Sequence, residues 1–241
     1  MTLSKTSLRF VGLGLVVAAL AVGGALMQRG PDPSLDPSLA PEMAEQSVTL
    51  PDGSGLWVQR HEVTVAEWNA CASEQACSLT LRVRAGFDAE TTPATGLSYV
   101  DVQEYITWLN ARTGQSYRLP TTDEWNHIAA PVLPKDTEPL FTDPSLTWAS
   151  TYLTEGTAPR ALKTQGSFST SPEGIADLDG SVWEWTSDCY ADGMDANRCP
   201  AFYLGGEHVA AMSFLVRDPA RGGCAVGTPP AHLGLRLVTD S

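Results

Sequence analysis

The chain has 241 residues, a formal net charge of −13 and an apolar fraction of 43%, enough for one sizeable domain with additional terminal segments. An acidic chain without a Lys/Arg run repels phosphate instead of releasing counterions, which argues against a nucleic-acid partner. Seven Trp, 21 Gly and 17 Pro point to a loop-rich globule packed around aromatic rings, not to a helix bundle.

At the N-terminus, Lys5 and Arg9 precede an apolar run from Phe10 to Met27. This is the pattern of a basic n-region followed by an h-region, so residues 1–29 read as a signal peptide or N-terminal membrane anchor. Ala19-Leu20-Ala21 offers a cleavage site, but the run continues apolar beyond it and is long enough to span a bilayer. The expectation is a periplasmic domain tethered to the inner membrane, or released to the periplasm if the segment is cleaved. Residues 30–46 carry Pro31, Pro33, Pro37 and Pro41 and repeat Asp-Pro-Ser-Leu. With few apolar residues to bury, they read as a semi-extended tether. The folded domain is then expected over 47–241.

Three helix starts follow from hydroxyl N-caps placed three residues before a carboxylate: Thr64 with Glu67, Ser98 with Asp101, and Thr121 with Glu124. After Ser98, the apolar residues Val102, Tyr105, Ile106 and Leu109 fall on one helical face, and Gly114 marks the end. The helix after Thr121 should turn Trp125, Ile128 and Ala129 inward and stop before Pro131. From Thr142 to Pro172, Gly and Pro punctuate the chain without helical periodicity.

The segment Gly174 to Asp188 contains Trp183-Glu184-Trp185 just after a Gly-containing turn. In an extended segment the two indoles share one face and Glu184 takes the other. Asp177, Asp179 and Glu184 around Gly180 make an oxygen-rich corner of the kind calcium uses; the alternative is a core strand after an acidic turn. Five cysteines stand at positions 71, 77, 189, 199 and 224. None shows a C-x-x-C spacing, and the two short intervals predict Cys71–Cys77 and Cys189–Cys199 disulfides with Cys224 left over. Cys224 is either a reactive thiol or a small buried apolar residue. The four histidines, His61, His127, His208 and His232, include no helical i, i+4 pair.

Four blocks in order resemble the formylglycine-generating-enzyme (sulfatase-modifying factor) family. They are Glu62-Val63-Thr64 through Trp68; Pro93 through Val102 running on to Arg118-Leu119-Pro120-Thr121-Thr122-Asp123-Glu124-Trp125; Gly174 through Asp188; and Gly205-Gly206 with Leu233-Gly234-Leu235-Arg236. The resemblance implies an α+β, loop-rich formylglycine-generating-enzyme fold related to the C-type lectin fold. It also implies a structural calcium held by Asp177, Gly180, Val182 and Glu184, with the family's other calcium site lost between Tyr152 and Thr170. In the family's oxidases two cysteines bind copper, a soft ion that thiolates suit. Their positions fall here on Ala210 and Leu215, so no copper is expected. Glu207 replaces the family's serine, and Glu207, His208 and Cys224 are the remaining candidates for catalysis. Being adjacent, Glu207 and His208 cannot both enter one pocket from an extended segment, and an ordinary polar pair at a sheet edge is the plainer reading.

Three functions follow from the resemblance. The first is an exported accessory or binding domain without the copper centre, serving a periplasmic protein or peptide partner. Arg221-Gly222-Gly223-Cys224 and Gly227-Thr228-Pro229-Pro230 resemble exported members encoded near nitrite reductase in denitrifying bacteria. The second is an oxidoreductase using another metal or thiol. The third is a calcium-dependent lectin-like module.

Overall fold

The computed structural model describes residues 34–133, 161–191, 193–194, 198–218 and 232–241. The apolar run Phe10–Met27, the Arg221–Pro230 pattern and Cys224 lie outside these residues. Among the described residues no helix is long and apolar enough to cross a membrane.

Each of the three capping boxes opens a helix: α1 (Val65–Ser73), α2 (Tyr99–Thr113) and α3 (Thr122–Ala129). In every case the hydroxyl accepts from the N3 backbone and the N3 carboxylate accepts from the cap N–H, satisfying two otherwise orphaned donors. Gly114 closes α2 in the left-handed region at φ 69°, where a residue with a Cβ is strained. Two sheets accompany the helices. Strands β1 (Val48–Thr49), β2 (Gly55–Val58) and β7 (Val238–Asp240) form an antiparallel sheet in the order β1-β2-β7. Strands β3 (Val182–Cys189), β4 (Ala201–Gly205), β5 (Ala210–Ser213) and β6 (His232–Gly234) form a second sheet in the order β5-β4-β3-β6. In it β3 runs parallel to β6 and antiparallel to β4.

Strand β3 is buried on both faces. Trp183 and Trp185 join a core with Trp68, Tyr105 and Leu233, while Trp125, Ile128 and Ile175 belong to a second core beside the first sheet. Rings this size each remove enough apolar surface from water to contribute about 2–3 kcal/mol. Their polar edges are satisfied: the Trp68 Nε1–H donates to the Leu79 carbonyl and that of Trp185 to the Leu97 carbonyl, both at 2.8 Å. Cys71–Cys77 and Cys189–Cys199 are disulfides with Cα separations of 5.3 and 5.8 Å, as their spacing predicts.

The tether expectation is corrected in its second half. A short 3-10 turn, Pro37–Leu39, lies against α2, with the Asp36 N–H donating to the Arg112 carbonyl. Met43 bridges to Gln59, Ala44 is buried, and its N–H donates to the Val58 carbonyl. Proline-rich composition predicts low helicity, but here the same residues dock as an extended strap whose backbone donors find partners in β2 and the 171–174 turn.

Candidate functional site

The Glu184 carboxylate is buried at the point where the two cores meet, and β3 turns it away from the two indoles that flank it in sequence. It accepts three hydrogen bonds from the Arg236 guanidinium, at 3.0 and 2.8 Å to Oε1 and 3.2 Å to Oε2, and one from Trp125 Nε1 at 2.8 Å to Oε2. Arg236, 1% exposed, also donates to the carbonyls of Gln59, Arg60 and Ala176. The hub therefore ties β3, α3 and the β2–α1 connection together. Asp177 sits at φ 66°, and its carboxylate accepts from the Gly166 and Phe168 N–H groups and from His61 Nδ1. Burial pushes the Asp177 carboxyl up, but these hydrogen bonds and the Arg236 charge outweigh it and hold the group below the usual range.

Of the four residues expected to hold calcium, the two carboxylates have partners within the chain: both Glu184 oxygens are engaged by Arg236 and Trp125, and those of Asp177 by Gly166, Phe168 and His61. The charge that Glu184 requires comes from inside the chain.

Glu62 is the member of this hub that composition does not reveal. It is 2% exposed, its Oε2 lacks a hydrogen-bond partner among the described residues, and Arg236 stands 3.7 Å from it. Burial pushes its carboxyl up to about 8, against the opposing pull of Arg236. A raised acid contributes stability that is fully present below the unfolded value, near 4.5, and is lost as pH rises through the folded value near 8. Glu62→Gln should therefore gain on the parent chain by a few kcal/mol between about pH 5 and 8.5, at roughly 1.4 kcal/mol per pKa unit. Urea unfolding across that range reads this directly; parallel pH profiles for the two proteins would show that Glu62 is charged throughout.

The segment expected to carry the reactive positions follows β4. Gly205 and Gly206 lie beneath Trp125 and Trp183, and a Cβ at either would overlap the ring above it. His208 packs edge-on against Trp183 with centroids 4.7 Å apart, whereas Glu207 is exposed. The neighbours thus diverge, in a bend between β4 and β5 and not in an extended strand. Ala210 is 3% exposed in β5, paired with Leu204, and Leu215 is 64% exposed. Of the two positions expected to correspond to copper ligands, one faces the core and the other faces solvent. His127 contacts the Thr49 carbonyl from an exposed position.

A concavity lies elsewhere among the described residues. It is a groove of about 300 Å³ between the start of α1, the 81–87 loop and β6. Val65 and Pro93 form buried parts of its wall, Leu81, Val83, Phe87 and Leu162 supply further apolar surface, and Arg82, Arg84 and His232 add charge or polarity. A smaller cleft of about 160 Å³ on the other side of the Thr64 cap is acidic, with Glu42, Glu67 and Glu90 beside His61. Neither was legible in sequence; the groove, for one, joins residues from five separated stretches.

Comparison with known proteins supports the fold. The family described as "Sulfatase-modifying factor enzyme 1-like domain" matches residues 18–241. No curated protein matches. Among solved structures, PvdO from Pseudomonas aeruginosa is similar at a TM-score of 0.53 and 17% identity, covering 83% of this chain and 92% of its own. CarF is similar at a TM-score of 0.53 and 15% identity, covering 84% and 99%. Treponema denticola variable protein 1 follows at a TM-score of 0.50 and 14% identity, covering 84% and 94%.

Proposed function

Because the chain belongs to the sulfatase-modifying factor enzyme 1-like family, we propose that it is an exported accessory domain that binds a protein partner and has no copper-oxidase activity. The observation that carries this reading is the state of the reactive segment. A buried alanine at 210 and an exposed leucine at 215 supply no soft donor and do not face a common cavity. The two disulfides are compatible with an extracellular or periplasmic location. The basic-apolar N-terminus supports a tether at the inner membrane, and the C-terminal Gly/Pro pattern supports nitrite reductase as one periplasmic partner to test. Calcium is left out of this reading, because Arg236 already neutralises Glu184.

Two measurements test the proposal. Anaerobic Cu(I) titration against a competing chelator should give no tight one-to-one complex, and a cysteine-containing sulfatase peptide should remain unoxidised with copper and O₂ supplied. Tight copper binding abolished by Cys224→Ser, or turnover of the peptide, would make the protein an enzyme. In the same cells, crosslinking of the full-length chain should capture a periplasmic protein at stoichiometric yield; its absence would remove the accessory role.

A further inference from the structure

The groove between α1 and the 81–87 loop has a charge that sets it apart from the rest of the molecule. Among the described residues, Arg60, Arg112, Arg118, Arg217 and Arg236 each sit in an ion pair. Arg82 and Arg84, both exposed, have neither an ion pair nor a side-chain hydrogen bond among the described residues. Two unpaired guanidinium groups are thus placed together in a chain of net charge −13. The nearest acidic loop does not neutralise them by contact: Asp88 turns its Oδ1 onto the N–H of Glu90. The backbone N–H groups of the adjoining helix start are also engaged, Val65 with the Thr92 carbonyl and Ala66 with that of Ala89. The arginine side chains, and not this helix start, are therefore the cationic groups that an anion in the groove would meet.

Between and beneath the arginines the surface is apolar. Leu81 and Val83 are half-buried, Phe87 is 38% exposed at the edge, and Val65 is 4% exposed below. The volume of about 300 Å³ is at the lower end for a ligand site and takes one large side chain together with its backbone. Arginine pairs with carboxylates through a planar fork that binds two oxygens at once.

Resting on the binding-domain reading above, we propose that this groove receives an extended acidic segment of the partner protein, with one aromatic or aliphatic side chain seated on Phe87 and Val65 and flanking carboxylates held by Arg82 and Arg84. Against the net negative charge of the chain, the arginine pair provides both attraction and register for an acidic ligand. The acidic cleft across the Thr64 cap limits how far such a segment can extend in that direction.

The test is fluorescence anisotropy on the full chain in detergent, with a labelled peptide bearing a central Phe flanked by Asp and Glu. The acidic peptide should bind, and the same peptide with Lys for every acid should not. Arg82→Ala with Arg84→Ala should weaken binding at least about tenfold, and raising salt should weaken it for the parent more than for this variant. Phe87→Ala should weaken binding by roughly fivefold or more without changing the salt dependence. All three residues are exposed or at the edge, and circular dichroism of each variant checks the fold. Failure of the acidic peptide to bind, equal binding of the lysine peptide, unchanged affinity in the double variant, or equally tight binding of polygalacturonate would each overturn the proposal. If the crosslinked partner is still captured by the double variant, the groove proposal fails while the binding-domain reading stands.

Discussion

Replacing Arg236 with methionine is expected to destabilise the fold by about 3–5 kcal/mol. The side chain is 1% exposed and makes hydrogen bonds to Glu184 and to three backbone carbonyls. Methionine fills much of the same volume, so the loss is electrostatic. It leaves the Glu184 carboxylate buried with only the Trp125 N–H, and it removes the cation beside Glu62. The carbonyls of Gln59 and Ala176 lose their donor as well, each orphaned acceptor adding about 1–3 kcal/mol before relaxation, whereas that of Arg60 keeps the Ala176 N–H. Arg236→Lys keeps the charge but cannot reach carboxylate and carbonyls together, so it should lie between parent and methionine. Combining Arg236→Met with Glu184→Gln should restore part of the loss, since the uncompensated charge is then gone. Urea unfolding at pH 7 gives the values. A loss below about 1 kcal/mol for Arg236→Met would mean that water or a bound cation replaces the guanidinium, and would reopen the calcium reading at Asp177 and Glu184.

Gly205→Ala should cost about 3 kcal/mol, near the upper end for overpacking a close-packed interior. The added methyl would occupy the space of the Trp125 ring. The ring has no easy retreat. It is 2% exposed, it packs in the core beside Ile128 and Ile175, and its Nε1–H is committed to Glu184. Moving it breaks that hydrogen bond, while holding it pushes β4 away from α3. Gly206→Ala meets Trp183 in the same way. For a chain of this size a loss of about 3 kcal/mol lowers the melting temperature by roughly 6–12 °C, which scanning calorimetry resolves. In the double variant Gly205→Ala with Trp125→Phe, the smaller ring should relieve the overlap but forfeit the hydrogen bond, so the two effects will not add. A shift under about 2 °C for Gly205→Ala would show that α3 moves freely against the second sheet.

Some of this protein was readable residue by residue. The three helix starts were, because a capping box is closed by groups three residues apart and needs nothing from the rest of the chain. The opposition of Glu184 to Trp183 and Trp185 was, because alternation is a property of one strand. The disulfides were, since short intervals bring cysteines within reach whatever the surrounding fold. The expectation of no copper rests likewise only on the identities of Ala210 and Leu215. What tertiary structure decided is the partner of each charge and the position of each surface. Whether Glu184 meets a metal or a guanidinium depends on Arg236, far along the chain and delivered by the loop after β6. The docking of residues 36–46 depends on β2 and α2 offering them backbone partners. The groove exists only because the 81–87 loop, Pro93, Leu162 and His232 come together beside α1. Local rules act over a few residues through hydrogen bonds the chain makes with itself, while charge pairing and concavity arise between segments that only the packed core brings into contact.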